Sequence, residues 1–160
     1  MLQRLQTIFL LIIVMAMFTM SFVPIWTKID TATRYTYTMY AWRFQALNPV
    51  DSLSYNVSIP YVFIGVLSVI AILIALYELF RYDNRMMQLK LGVLNSLVMT
   101  GLIGFIVYLA MQNETKVLPG IAGQYKLGFL LPAIAIISNL IANRLIKKDE
   151  KLARSVDRIR

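Results

Sequence analysis

Neither cysteine nor histidine occurs in the 160 residues. Their absence excludes disulfides, thiolate chemistry, Cys/His zinc sites and His-ligated haem, and no cofactor is expected. It also removes the usual nucleophile–base pairs. An enzyme would have to rely on Ser, Lys or Tyr, and no nucleophile elbow or Ser–Lys arrangement is present. The sequence therefore reads as non-enzymatic. Cysteine-free chains fit any redox compartment, so this absence localises nothing. Charge is scarce too, at 15% of residues against about 25% in soluble domains. Acids are scarcest: eight, against sixteen Lys and Arg, for a net +8. None lies deep in an apolar run, where a proton relay would need one. There is no low-complexity segment and no internal repeat, and the matching interrupted helices of inverted-repeat transporters are missing.

What is abundant is apolar surface: 59% hydrophobic residues and a mean hydropathy of +0.66. It is organised in runs long enough to cross about 30 Å of hydrocarbon. One integral membrane domain is expected, with spans at 8–26, 59–80, 89–111 and 127–146, outer loops at 27–58 and 112–126, an inner loop at 81–88 and a tail at 147–160. The first run is longer than a signal-peptide core and lacks a good cleavage site, so it reads as a retained anchor. Ser58 and Pro60 look like a helix start, and Pro132 should mark either the start of the fourth span or a bend in it.

Lys and Arg set the orientation. Arg4, Arg81, Arg85, Lys90, Arg144, Lys147, Lys148, Lys151, Arg154, Arg158 and Arg160 fall on one side. Lys28, Arg34, Arg43, Lys116 and Lys126 fall on the other. The positive-inside rule then puts both termini in the cytoplasm. Trp26, Tyr61, Tyr108 and Tyr125 fit the outer interface, and Tyr77, Phe80 and Tyr82 the inner one. Because the cations border apolar runs, they read as topogenic charge, and no nucleic-acid partner is expected.

Two segments lie outside the spans. The long outer loop carries Tyr35, Tyr37, Tyr40, Trp42 and Phe44 in a largely alternating, strand-forming stretch, and Asn48-Pro49 reads as a turn. A small sheet or hairpin capping the helices is expected there, its aromatics facing helix tops or headgroups. In the tail, Leu145, Leu152, Val156 and Ile159 share one helical stripe, and Glu150 with Arg154 forms an i,i+4 pair. The fourth span should continue as a basic amphipathic helix. Arg144, Lys147, Lys148, Lys151, Leu152, Arg154, Val156, Arg158 and Ile159 are its candidate contacts with anionic lipid or a cytoplasmic partner. The fold class is thus an all-α membrane protein: a four-transmembrane-helix arrangement with a small β-element in the first outer loop and a basic C-terminal helix.

Polar residues inside the spans are few. Glu78 lies within a turn of Arg81 and reads as an interfacial ion pair with Arg81, Arg85 or Lys90. Asn95 is five positions inside Lys90 and Asn139 five inside Arg144, so both sit about 7–8 Å deep from the same face. With Ser96 and Ser138 they form a candidate polar layer. It either glues two helices, at about 0.6 kcal/mol per hydrogen bond, or lines a vestibule for a ligand. Gly101 and Gly104 suit close packing within the chain, or a partner helix.

The opening Met1-Leu2-Gln3-Arg4-Leu5-Gln6-Thr7, the stretch Asn84-Arg85-Met86-Met87-Gln88-Leu89 and the closing run from Ala142 to Arg160 resemble a family of small four-span membrane proteins from Bacteroidota. That family is filed as a domain of unknown function. The resemblance implies a bacterial inner membrane and brings no activity, substrate or site. The function expected is a structural, assembly or regulatory component of a larger membrane complex, contacting lipids, other membrane proteins or itself. A small transporter or channel subunit working as an oligomer is the alternative.

Overall fold

Pro24 ends the first apolar run as a helix. Proline has no N–H and disfavours helical geometry in the residue before it. Helix α1 (Leu2–Met20) stops ahead of it, and the run enters a strand, β1 (Trp26–Ile29). The structure, a computed structural model, describes residues 2–30, 34–48, 54–81, 84–116 and 122–157, with side chains for all of these except 2–4, 54 and 153–157. Its other elements are β2 (Thr36–Met39), β3 (Phe44–Leu47), β4 (Ser54–Val57), α2 (Val62–Phe80), α3 (Arg85–Lys116), β5 (Gln124–Tyr125) and α4 (Leu127–Asp157).

This corrects the all-α, four-span expectation in two ways. First, the β-element is a five-stranded antiparallel sheet of order β4-β3-β2-β1-β5. Its last strand comes from the second outer loop and pairs Trp26 with Tyr125. Second, three helices among the described residues, not four, are long and apolar enough to cross a membrane: α2, α3 and Leu127–Leu152 of α4. The apolar part of α1 is Leu5–Met20, about 24 Å long against a core of about 30 Å. Each helix packs mainly on two neighbours, α1 on α4 and α2, and α3 on α2 and α4. Only about a third of each candidate span is buried, leaving outward leucines, isoleucines and phenylalanines that suit lipid rather than water.

The sheet is part of the core, not an appendage. Trp26, Met39 and Phe44 join Met20, Ile64, Ile106 and Ala135 in one buried cluster. Alternation along the strands explains why: Trp26 and Lys28 face inward, and Ile29 is exposed. The predicted contact aromatics pack on one another. Tyr35, Tyr37, Phe44 and Tyr61 form a run of stacked rings 5.2–6.2 Å apart, and Arg43 lies 5.6 Å over the Tyr40 ring. Burial pushes the Tyr37 phenol up from its ordinary value near 10, with help from the Asp30 carboxylate and Tyr35. The expected turn at Asn48-Pro49 lies partly outside the described residues.

Sheet and helices share hydrogen bonds where helices are short of partners, since the first N–H groups of a helix have none within it. In α2 the Gly65 N–H donates to the Ala41 carbonyl at 2.9 Å, and in α4 the Gly128 N–H donates to the Pro24 carbonyl at 3.0 Å. Gly65 must be glycine for this fit, because a Cβ there would meet the Trp42 ring at 2.5 Å. The expected start at Ser58-Pro60 lies just outside α2. Tyr61 occupies the N-cap position without a side-chain bond, and the Ser58 carbonyl accepts from Val62 N–H at 2.9 Å. At the other end α3 starts at Arg85, earlier than the apolar run suggested. Helix α4 contains Pro132 and runs on into the basic tail as expected.

Candidate functional site

Residues at three- and four-residue spacing share one face of a helix, and here that face turns polar toward one end. In α2 the buried stripe runs Ile64, Gly65, Ser68, Ala71, Ala75 and Glu78. In α3 it runs Gln88, Gly92, Asn95, Met99 and Leu102. Helix α1 adds Gln6, and α4 adds Ser138 and Asn139. These polar groups gather at the end of the helices where α2 turns into α3.

Their bonds form a short chain that stops before the carboxylate. The Gln6 side-chain amide donates to Gln88 Oε1 at 3.3 Å, and Gln88 Nε2 donates to the backbone carbonyl of Glu78 at 3.0 Å. The Glu78 side chain is fully buried, and neither carboxylate oxygen has a hydrogen-bond partner among the described residues. The expected ion pair does not form there. Arg85 reaches across to α4 and donates to the Asp149 carbonyl at 2.6 Å, while Arg81 lies over the Tyr77 ring at 6.0 Å. Tyr82 lies outside the described residues.

One turn further in, α3 and α4 meet through amides. Asn139 Nδ2 donates to the Gly92 carbonyl at 2.7 Å and to Ser96 Oγ at 2.8 Å. Gly92 permits this approach, because a Cβ there would overlap the Asn143 amide. The predicted Asn139 and Ser96 are therefore brought together. Asn95 is not: it is fully buried, and neither amide atom has a hydrogen-bond partner among the described residues. Ser138 bonds its own helix at the Ile134 carbonyl, 2.9 Å away. Sequence reasoning missed Gln6, Gln88 and Asn143. Seven-residue spacing of Gln88 and Asn95, and four-residue spacing of Asn139 and Asn143, placed each pair on one face and was the available signal.

Beside this layer, on the surface of the molecule, a groove of about 400 Å³ lies between α3 and α4. Leu89, Val93, Leu97 and Leu140 wall it, Ser96 and Asn143 lie at its floor, and Arg144 and Lys147 stand at its end. A second hollow of about 490 Å³ continues from there over Lys148, Glu150 and Lys151. Arg144, Lys147, Lys148, Lys151 and Leu152 are all exposed. The side chains of Arg154 and Val156, and Arg158 and Ile159 altogether, lie outside the described residues. Gly101 and Gly104 do not serve internal packing as expected, since a Cβ on either would meet nothing within 4 Å.

The opposite end holds a different polar set, which fastens the sheet. Lys28 is 2% exposed, although it lies in a segment expected to be a loop. Its ammonium donates to the Glu114 carbonyl at 3.2 Å, near the C-terminus of α3, where the helix dipole favours a cation. Tyr61 donates to Asn113 Oδ1 at 2.8 Å, and the Ser21 and Ser68 hydroxyls lie 3.2 Å apart.

A family model described as Domain of unknown function (DUF4293) matches residues 2–159. No curated protein matches the chain.

Proposed function

The chain belongs to the DUF4293 family, and from that premise we propose that it is a non-enzymatic component of a larger membrane complex, helping to assemble, stabilise or regulate it. The observation that carries this reading is the basic end of α4. The helix runs unbroken to Asp157, and Arg85 braces it through the Asp149 carbonyl. Lys147, Lys148 and Lys151 thus stand on a rigid arm about 16 Å long, with the outward Leu152 among them. A rigid arm loses little conformational entropy when a partner docks. Photo-crosslinking from position 152 in native membranes should trap one discrete protein. Lipid adducts alone would overturn the reading. Arg85→Gln should loosen the arm, seen as faster amide exchange across 147–157 with the spans unchanged.

The membrane we propose is a bacterial inner membrane. The α2–α3 turn and the basic arm face the cytoplasm, and the sheet faces the opposite side. Arg81, Arg85, Lys90, Arg144, Lys147, Lys148 and Lys151 support this placement under the positive-inside rule. The native chain has no cysteine, so single variants report cleanly. A membrane-impermeant maleimide should label Tyr55→Cys from outside and Lys151→Cys only after permeabilisation. Labelling of both from outside would refute the orientation.

One observation favours a second reading, a small transporter or channel subunit. Glu78 and Asn95 are buried among the apolar helices, with side chains that have no hydrogen-bond partner among the described residues, and intramembrane ionisable groups often mark ion or substrate paths.

A further inference from the structure

We propose that the groove between α3 and α4 binds one anionic phospholipid, an acyl chain lying along the leucines and the phosphate held between Arg144 and Lys147. The volume, about 400 Å³, falls within the range of about 300–1,000 Å³ for ligand clefts. Its walls are uncovered: Val93 is 57% and Leu97 66% exposed. From Leu89 to Thr100 the lining of α3 extends about 16 Å. That is about half of a hydrocarbon core of about 30 Å, the depth of one leaflet. An acyl chain fits this length, whereas a partner protein helix would run on past it.

Charge selects the headgroup. Arg144 and Lys147 have no ion-pair partner among the described residues. The adjoining hollow adds Lys148 and Lys151 against the single carboxylate of Glu150. Cations at one end of an apolar intramembrane groove match the phosphate and tails of an anionic lipid. A zwitterionic lipid would leave that charge largely uncompensated. The site is independent of the assembly role, because it needs only the helices and their membrane.

The test uses the full chain purified in mild detergent and exposed to equal amounts of phosphatidylglycerol and phosphatidylcholine, with retained lipid counted by native mass spectrometry. One phosphatidylglycerol should be retained about tenfold over phosphatidylcholine, a difference of about 1.4 kcal/mol. Arg144→Gln with Lys147→Gln should bring the two to parity. Leu97→Trp with Leu140→Trp fills the groove at exposed positions, leaves every charge in place and should also abolish retention. In the unmodified protein, phosphatidylglycerol with a photoreactive acyl chain should crosslink to 89–100 and 140–147, a readout that needs no variant to fold. Equal retention of the two lipids would overturn the proposal. So would a preference that survives groove filling, which marks surface electrostatics alone, or crosslinks confined to α1 and α2. Full displacement by an equal concentration of inorganic phosphate would reduce the site to a phosphate contact and also overturn it.

Discussion

Trp26→Ala should destabilise the folded chain by about 3–5 kcal/mol, the usual cost of truncating a fully buried aromatic residue. Trp26 is 1% exposed and stands where three parts of the molecule meet. It pairs across β1 with Met39 of β2 and Tyr125 of β5. Its indole lies so close to Gly123 that no Cβ fits there, and it joins the cluster that includes Met20 and Ile106. Truncation would leave a cavity bordered by sheet and helices alike, and partial collapse cannot fill it. Chemical unfolding in detergent should show the loss, with amide exchange in β1 and β5 rising first. Trp42→Ala serves as the comparison, because Trp42 is partly exposed and should cost less. An unchanged unfolding midpoint for Trp26→Ala would mean that the sheet is not packed into the core.

Glu78→Leu should work in the opposite direction and stabilise the chain by about 1–3 kcal/mol, the penalty for a buried polar group left without a hydrogen bond. The flanking stripe is made of small residues, Ala71 and Ala75, and the substitution continues it with an apolar side chain of similar length. Asn95→Leu should stabilise for the same reason, by a smaller amount. The two functional readings then separate. If the chain is an assembly component, complex yield should be unaffected or improved in both variants. If it conducts a cation or proton, proteoliposome flux should be lost in Glu78→Leu and reduced in Glu78→Gln, even as thermal stability rises. A lowered melting midpoint for Glu78→Leu would show that the carboxylate is compensated in the fold, and the premise would fail.

Long apolar runs announced α2, α3 and α4, because a helix able to cross a membrane needs about 20 consecutive apolar residues. The first run misled for a physical reason. Phe22, Val23, Ile25 and Trp26 are as apolar as any helix, so hydropathy is blind to the change of backbone at Pro24. The two-residue β5 was invisible because Gln124 and Tyr125 become a strand only through β1, far away in sequence. The burial of Lys28 was not legible because sequence shows charge but not the helix end that receives it. That the amides of α3 and α4 lie at matching levels was legible from spacing, whereas partner choice was not. Asn95 and Ser96 are one residue apart, which turns them about 100° around α3, and only Ser96 meets Asn139.

The pairing of β1 with β5 also sets an order of events. Trp26 and Tyr125 are partners across roughly a hundred residues of chain, and contacts of such long range form late. During synthesis β1 emerges with one edge bare, and an unpaired edge is a place for mispairing. That edge closes only after α2 and α3 have been made and the segment ahead of α4 has returned to the same face. A chain that stops short of β5 keeps that edge open. The last strand therefore completes the sheet only once the chain has been made as far as Tyr125.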